Sequence, residues 1–580
     1  MIKQLALTLG LGLAMLATQA QTVSVKWSDR EEYTKATGTF GTFAGGNTKY
    51  VYTKYNKNSR KHPDAQVKLT AYDNTTMKQV ASVPLIGFKE NESDKDKMKG
   101  LKYFDQIVFE NTINVFWTKY EDGKTQLYAQ IFDAKLKSKV KLKKIYEVKA
   151  AGKKSSPTLF VLGNKSAGEK IVIGAELPRD KGENVRFEYK ILKNDLSFDA
   201  SNQITLPYAT TATTNTLSAS YEIADNGFLY TKSYIQMDKE DKKNLKKNES
   251  AYYNLLTVIN PASGKSTSHA LKYENKNLFR VSYIAANGKT KIYGMYSDLL
   301  LDKKGNDLHG IFYAEIEDGE PMISTPKFID FDKVTLAKLF AKDTEDKKKS
   351  GLFASKDAKS SDEESLKNDY VIEQVVSLDK DNVVLFASRM NNYSVRECTG
   401  SGSSRSCVTK YYCEKSNVTA FKIDNTGKLV WASNMDRKCT YSGWDVYDVE
   451  LITDNDNMFL TYGNTYTTEE NKKTGKEKKK AKGWKDSKFE YAVFNYKTGE
   501  YKKQFYVVNK EGTPKKDEKT IGGIYNIENK MFFNYTSYKV KPWAWIGCIA
   551  GFACPPLFFL PFSNLGRDFW GYVGTFQPAK

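Results

Sequence analysis

The sequence is poor in the residue types and motifs on which many enzymes depend. Its 580 residues include only three histidines, His62, His269 and His309, which lie far apart along the chain. It contains no GxSxG nucleophile motif, no P-loop and no HExxH metal motif. The scarcity of histidine argues against a Ser-His-Asp triad. We therefore assign no catalytic residue from sequence, and we expect neither a cofactor nor a metal ion.

Long apolar runs are also scarce, and the mean hydropathy of −0.58 excludes a polytopic membrane protein. One apolar run, at 5–16, follows Lys3 and precedes a small residue, Ala20. This order is typical of a cleavable signal peptide. We predict a signal peptide at 1–20 and an exported mature chain at 21–580.

Cysteine is rare, and all six cysteines lie in the last third of the chain. An even number in an exported protein favours disulfides over free thiols, and the absence of CxxC spacing argues against zinc. Six cysteines allow many connectivities, so no pairing follows from the sequence. The disulfide candidates are Cys398, Cys407, Cys413, Cys439, Cys548 and Cys554.

Short strand-like segments are abundant. The chain has 37 Tyr and 31 Phe, which suit half-buried pleated strands. The plainest unit, at 112–146, reads as three strands joined by short polar turns, and we count eight such units. A repeat longer than about forty residues with several strands is typical of propeller blades. The predicted fold is all-β, a single propeller of eight four-stranded blades, with strands A to D in each blade.

The two ends of the chain support the count of eight. The last unit has A, B and C strands but no D strand, whereas 22–29 alternates apolar and polar residues as a strand does. If this N-terminal strand completes the last blade, the ring closes and its open edges disappear. Seven blades and a two-domain β arrangement stay open as alternatives.

Two resemblances accompany the repeat. The segment FKIDNTGKLVW (421–431) resembles the C–D turn of quinoprotein-type propellers, with fainter echoes at 258–265 and 493–500. In that family the motif docks neighbouring blades, so it implies the fold and not a quinone cofactor. The leader and composition resemble those of exported propeller proteins of the Bacteroidota. That resemblance implies a periplasmic, outer-membrane-associated or extracellular location.

The propeller domain carries insertions at about 330–369, 390–416, 468–487 and 540–567. In a four-stranded blade the B–C and D–A connections emerge on one face of the ring, and the insertions fall in these connections. We read them as long loops. Loops on a rigid scaffold commonly carry the binding function, so we expect the elaborated face to meet a partner.

Two of these insertions supply the binding candidates. The loop at 543–562 has no charged residue, and it either folds over the propeller or forms an interface with a partner. Its prolines argue against a transmembrane span. The loop at 468–487 is rich in lysine, which suits an anionic glycan or a solvated surface. The candidates are Trp543, Trp545, Phe552, Phe558, Phe559 and Trp484.

The sequence favours a non-catalytic binding or assembly scaffold that recognises a protein or an outer-membrane component. An anionic glycan stays open as a partner, whereas nucleic acid does not fit export or the lack of interleaved aromatic and basic residues. The alternative is a glycan- or peptide-processing enzyme with its site in the central channel. That alternative requires carboxylates or a Tyr–Glu pair to converge at the predicted innermost strands, and the scaffold loses support if three or more of the notable acids there meet in one channel mouth. These acids are Glu222, Glu373, Glu450 and Glu528.

Overall fold

The structure is a computed structural model of the whole chain. The parts of it described below are residues 23–29, 31–33, 39–56, 67–85, 100–149, 159–178, 180, 182–209, 217–225, 227–237, 239–246, 249–286, 289–301, 307–317, 323–333, 335–336, 366–367, 370–379, 381–399, 406–442, 449–462, 466–471, 476–481, 488–507, 518–527, 530–540 and 567–578.

The described chain is almost entirely β, and it forms eight main antiparallel sheets, seven of four strands and one of four strands with the short β2 (Glu31–Tyr33) added, together with two two-stranded sheets. Two strands precede the first complete sheet: β1 (Val23–Trp27) and β2 (Glu31–Tyr33). Sheet 1 contains β3 (Thr39–Gly46), β4 (Tyr50–Asn56), β5 (Val67–Asp73) and β6 (Gln79–Pro84). Sheet 2 contains β7 (Lys102–Val108), β8 (Thr112–Glu121), β9 (Lys124–Asp133) and β10 (Ser138–Lys149). Sheet 3 contains β11 (Leu159–Asn164), β12 (Lys170–Glu176), β13 (Asn184–Leu192) and β14 (Phe198–Ala209).

Sheets 4 and 5 each carry a short insertion between their second and third strands. Sheet 4 contains β15 (Leu217–Ile223), β16 (Leu229–Gln236), the helix α1 (Lys239–Lys243), β17 (Tyr252–Ile259) and β18 (Ser266–Leu271). Sheet 5 contains β19 (Lys276–Ala286), β20 (Lys289–Asp298), the inserted β21 (Asp307–Leu308), β22 (Gly310–Glu317) and β23 (Lys327–Asp330). The next strand, β24 (Leu366–Lys367), pairs with β21.

The last three sheets complete the chain. Sheet 6 contains β25 (Tyr370–Val376), β26 (Asn382–Thr399), β27 (Ser406–Asp424) and β28 (Leu429–Ser442). Sheet 7 contains β29 (Glu450–Asp454), β30 (Asn457–Thr461), the inserted hairpin β31 (Tyr466–Asn471) and β32 (Lys476–Ala481), β33 (Lys488–Asn495) and β34 (Tyr501–Val507). Sheet 8 contains β35 (Glu518–Ile527), β36 (Lys530–Val540) and β37 (Arg567–Pro578).

The sheets are held side by side by apolar side chains on both of their faces. Each of eight hydrophobic clusters joins two successive sheets, from sheets 1 and 2 around to sheets 8 and 1. The last contact brings Val51 and Tyr72 of sheet 1 against Phe532 and Val573 of sheet 8. Because this cluster connects the last sheet to the first, the eight sheets form a closed ring.

Strand β1 completes sheet 8 as its outer strand. It pairs antiparallel with β37, from Val23 opposite Pro578 to Trp27 opposite Gly574. The indole of Trp27 packs edge-on against Phe533, with ring centroids 5.0 Å apart. The prediction of an eight-bladed propeller whose last blade is completed by the N-terminal strand is therefore confirmed.

The first strands of the sheets contact one another and surround the central channel. Their inner edges have no further strand to pair with, so side-chain amides bond to carbonyls of the neighbouring inner strand. Gln106 donates to Ala44 O at 3.1 Å, and Asn526 donates to Leu451 O. Six of the eight inner strands, β3, β7, β15, β19, β25 and β35, also contain a β-bulge. Bulges bend a strand and redirect its side chains.

The segment 421–431 docks sheet 6 onto sheet 7. The indole Nε1 of Trp431 donates to Tyr496 O at 3.1 Å, and its ring lies on Gly499 in the turn between β33 and β34. A Cβ added at Gly499 would lie 2.5 Å from Cε3 of Trp431. A similar contact occurs between sheets 3 and 4, where Asn202 lies against Gly264 and bonds to Pro261 O. The turn between the third and fourth strands therefore receives a side chain from the preceding sheet.

Two expectations for the segment 390–416 are corrected. We expected a long loop, but β26 and β27 continue through most of it as a paired extension of sheet 6. Cys413 and Cys439 are buried thiols, not disulfide partners, because the register sets Cys413 opposite Tyr441 and Cys439 opposite Lys415.

The other cysteines fall into two groups. Cys407 is disulfide-bonded, and the register places the backbone of Cys398 directly opposite it. Cys548 and Cys554 lie outside the described residues.

We expect Gly499→Ala to destabilise the protein more than Gly168→Ala. Both glycines have positive φ, 74° and 78°, so both substitutions carry the backbone strain of about 1–2 kcal/mol. Only Gly499 lies against another side chain, whereas nothing lies within 4 Å of a Cβ at Gly168. Chemical denaturation should show an additional loss of about 1–3 kcal/mol for Gly499→Ala. Equal losses would show that the Trp431 contact does not hold the two sheets together.

Candidate active site at the channel mouth

The structure brings two of the four inner-strand acids together. Glu373 on β25 and Glu450 on β29 interact electrostatically between sheets 6 and 7. Glu222 on β15 is exposed, and it hydrogen-bonds Tyr283 of sheet 5 instead. Glu528 lies outside the described residues. Two of the described acids therefore meet, which is fewer than the three that would have counted against a scaffold.

Glu373 is fully buried in a charged cluster. Its Oε1 lies 2.6 Å from Nζ of Lys415 and 3.4 Å from Nη2 of Arg437, and all three side chains are fully shielded from solvent. Arg437 Nη2 also donates to Ser388 Oγ at 2.8 Å. Buried charges are tolerated when they are paired in this way, and removal of one partner leaves an uncompensated charge.

The bulge on β25 explains why a glutamate can reach this cluster. Ile372 pairs with Ala387 and Gln374 pairs with Phe386, so Glu373 is the extra residue between two paired neighbours. A bulge turns such a residue out of the regular alternation. Lys415 and Arg437 come from β27 and β28 of the same sheet, where both strands also have irregular register.

Glu450 lies at the start of β29, next to the contact that fixes the two inner strands. The preceding residue, Val449, accepts a hydrogen bond of 2.9 Å from Nε2 of Gln374, which follows Glu373. Adjacent residues on both strands are thus held at the same height in the channel. Because strand β29 begins at the D–A end of its sheet, Glu450 lies at the channel mouth on the face that carries the insertions.

Burial, and then the negative charge of Glu373, raise the pKa of Glu450 from 4.5 to about 7. Unlike Glu373, the Glu450 side chain is only half-buried. A carboxyl with this pKa is present in both protonation states near neutral pH, which is the property required of a general acid or base.

An aromatic wall continues from Glu450 along the inner strands. Tyr525 on β35 is 37% exposed, and its pKa is raised by burial and by the charge of Glu450. Its ring stacks on Phe43 of β3, with centroids 5.8 Å apart and planes 17° apart. The mouth therefore presents a titratable carboxyl beside an accessible tyrosine.

A second buried network lies behind Glu450 in sheet 7. Tyr462 donates to Oε1 of Glu490 at 2.8 Å, and both residues are buried. The positive charge of Arg437 acts on Tyr462 from sheet 6, although burial and Glu490 dominate and raise the pKa of Tyr462. The hydrogen bond lies within sheet 7, and the charge of Arg437 reaches Tyr462 from sheet 6.

Sequence reasoning missed Lys415, Arg437 and Tyr525. Lys415 and Arg437 lie 42 and 64 residues after Glu373, in segments that we read as a loop and a strand without chemistry. Tyr525 is visible in the sequence as a tyrosine of an inner strand. Its proximity to Glu450 is not visible, because Glu450 belongs to another sheet. The sequence signal for this site was the presence of two acids, Glu373 and Glu450, on predicted innermost strands.

The binding candidates from the insertions are not placed by the structure. Trp543, Trp545, Phe552, Phe558, Phe559 and Trp484 all lie outside the described residues. Within the described ranges, no group of three or more His, Cys, Asp or Glu side chains could hold a metal ion. No helix in that part of the chain is long and apolar enough to cross a membrane.

No protein-family model and no curated protein matches the chain. Solved structures do. An ulvan lyase, a polysaccharide lyase bound to -[GlcA(1-4)Rha3S]-, has 8% identity and a TM-score of 0.33, covering 83% of this chain and 98% of its own. The polysaccharide lyase Uly1 has 10% identity and a TM-score of 0.32, covering 82% and 89%. A thermostable family-43 glycoside hydrolase has 9% identity and a TM-score of 0.25, covering 50% and 95%.

The prediction of a non-catalytic scaffold is corrected. The channel mouth holds a half-buried carboxyl, Glu450, whose pKa is raised by burial and then by the charge of the buried Glu373. A scaffold that binds only through its loops has no need of this arrangement. Neither resemblance from the sequence, to Bacteroidota proteins or to quinoproteins, is matched by a family model.

We expect Glu450→Gln to change how stability depends on pH. The folded protein binds the Glu450 proton more tightly than the unfolded chain, so this group stabilises the fold below pH 4.5 and loses that contribution as pH rises to about 7. Thermal unfolding should therefore show the variant gaining stability relative to the wild type between about pH 5 and pH 7.

The matched control is Glu147→Gln on the outer strand β10. Hydrogen bonds from Lys124 and then Lys144 lower the pKa of Glu147 to about 2. Its contribution is therefore present above pH 4.5 and lost as pH falls towards 2. If both variants changed stability relative to the wild type with the same sign and over the same pH range, the raised pKa of Glu450 would be contradicted.

Proposed function

We propose that this protein is a glycan-processing enzyme with its active site at the channel mouth, where Glu450 transfers a proton to or from the substrate. The observation that carries the proposal is the position of Glu450. It is half-buried on an inner strand, in front of the buried Glu373–Lys415–Arg437 cluster and beside the accessible Tyr525.

The chemistry of glycan cleavage suits this site. Breaking a glycosidic bond requires a proton on the leaving oxygen, and a carboxyl with a raised pKa commonly supplies it. Cleavage by elimination requires a base instead, and a carboxylate with the same pKa can accept a proton at neutral pH. The sequence offers no serine-histidine or HExxH motif for peptide cleavage, and this favours glycan over peptide as the substrate.

Glu373 has a different role from Glu450. Its side chain is fully buried, so it cannot touch a substrate. We assign it as a positioning residue that keeps the proton on Glu450 through its negative charge. Lys415 and Arg437 each place a positive charge beside its Oε1 and so pair its buried negative charge.

The surroundings of Glu450 also fit a sugar. Tyrosine presents an apolar ring face and a polar hydroxyl, which matches the apolar faces and hydroxyl edges of a sugar ring. Tyr525 and Phe43 form such a surface beside the carboxyl. The signal peptide that the sequence predicts at 1–20 agrees with a site of action outside the cytoplasm, on glycans of the envelope or of the surroundings.

Glu450→Gln is the test. We expect it to lower turnover of a depolymerised glycan by about 10²-fold or more, because the amide can neither donate nor accept the required proton. The assay screens neutral and acidic polysaccharides for new reducing ends and for unsaturated products, which separates hydrolysis from elimination. The control variant is Glu147→Gln, which replaces a half-buried, ion-paired glutamate on the outer strand.

The result can go against the proposal in two ways. Full activity of Glu450→Gln on a glycan that the wild type cleaves would remove Glu450 from the chemistry. A wild-type protein that leaves every polysaccharide of the screen intact would contradict glycan processing itself. Full activity is expected for Glu147→Gln on any glycan that the wild type cleaves.

A further inference from the structure

An arginine occupies a strained position on the innermost strand of sheet 5. Arg280 lies in the bulge of β19, between the pairs Phe279–Met295 and Ser282–Tyr293. It has φ of 53°, and its side chain is exposed. A positive φ is unfavourable for a non-glycine residue, and such strain collects at functional sites.

The surrounding residues are arranged to keep this bulge. Nζ of Lys232, on β16 of the neighbouring sheet, donates to Val281 O at 2.9 Å. Gly294 on β20 leaves room for the bulge, because a Cβ there would lie 3.1 Å from Phe279 O and 3.2 Å from Val281 Cα. Val281 itself is buried. A contact from sheet 4 and a missing side chain in sheet 5 thus fix the backbone under Arg280.

The guanidinium of Arg280 is available for a ligand. Among the residues that the structure describes, no carboxylate forms an ion pair with it. The acid of the neighbouring inner strand, Glu222, lies with Tyr283 and Lys232 instead. An exposed arginine of this kind can form two parallel hydrogen bonds to a carboxylate or sulfate group.

An aromatic pair stands beside Arg280. The positive charge of Arg280 acts on Tyr234 of β16. The ring of Tyr234 stacks on Tyr252 with centroids 5.2 Å apart and planes 11° apart, and the two residues are 36% and 40% exposed. A cation next to accessible aromatic rings suits a sugar that carries a negative charge.

We propose that Arg280 is an anion-binding residue of the channel, and that the substrate is an acidic polysaccharide with carboxylate or sulfate groups. The identification of the bound polysaccharide as a substrate rests on the proposed function, whereas the binding of an anion by Arg280 does not. Inner strand β25 alone lies between the strands of Arg280 and Glu450 in ring order, so a glycan chain across the channel mouth can meet both.

The first experiment follows the arginine side-chain N–H resonances of the protein by NMR, with small sugars as probes. We expect a saturable shift of the Arg280 resonance with glucuronate or with glucose 3-sulfate, and none with glucose. The separate titrations tell a carboxylate ligand from a sulfate ligand. An equal response to glucose, or no response to either anion, would overturn the proposal.

The second experiment compares variants by affinity electrophoresis in gels that contain acidic polysaccharides. We expect Arg280→Gln to bind the retained polysaccharide at least about tenfold more weakly, as the loss of a charged hydrogen bond implies. The control is Arg186→Gln, an exposed arginine on the third strand of sheet 3. Unchanged retention of Arg280→Gln would contradict the assignment.

A third variant separates lost binding from lost folding. Arg280→Gly removes the strain of the positive φ, so we expect a higher melting temperature together with lost retention. A variant that is more stable and still fully retained would overturn the role of the guanidinium. Anion binding without glycan turnover would support the anion-binding role of Arg280 and contradict the proposed function. Turnover of neutral glycans alone would support the proposed function and contradict the anion-binding role of Arg280.

Discussion

The burial of both faces of every sheet against its two neighbours is the interaction on which this structure depends. A single four-stranded sheet of this chain has two apolar faces and cannot shield either by itself. Eight hydrophobic clusters solve the problem, and each joins one sheet to the next. Buried aliphatic and aromatic side chains contribute about 1.5–3 kcal/mol each, so the ring is stable only when it is closed. The pairing of β1 with β37 completes the sheet that closes it.

This constraint separates the outer parts of each sheet from its innermost strand. The middle strands are covered on both faces and are therefore almost continuously apolar, as in β12, which has five consecutive buried residues. The inner strands have an edge on the channel that no sheet covers. Amide side chains and bulges occupy that edge, and the bulges place Glu373 and Arg280 where regular alternation would not. The same geometry that closes the ring thus leaves the channel mouth as the place for chemistry.

Much of the scaffold could be predicted from the sequence, because a strand repeat leaves a period-two pattern that does not depend on distant contacts. The missing outer strand of sheet 8 was visible as an unmatched segment at each end of the chain. The extension of sheet 6 was not visible. Its residues 390–416 are rich in serine and cysteine, and the strands form because each supplies a pairing partner for the other.

The candidate site was only half accessible to sequence reasoning. Glu373 and Glu450 could be placed on inner strands, since both lie in segments that precede a turn and a second strand. The effect of the two acids on one another could not be predicted, because it depends on a bulge and on Lys415 and Arg437 from later strands. The disulfide expectation for Cys413 and Cys439 failed for a related reason: the register of β27 and β28 decides which side chains face each other.

Burial, reinforced by the buried charge of Glu373, keeps Glu450 ready for proton transfer at neutral pH. Carboxyl carbon-13 NMR of the full-length protein, with Glu450 assigned by comparison with Glu450→Gln, measures this directly. We expect a titration midpoint near pH 7 that moves to lower pH in Glu373→Gln. A midpoint near the ordinary glutamate value of 4.5, or one unaffected by Glu373→Gln, would contradict this role of the two glutamates.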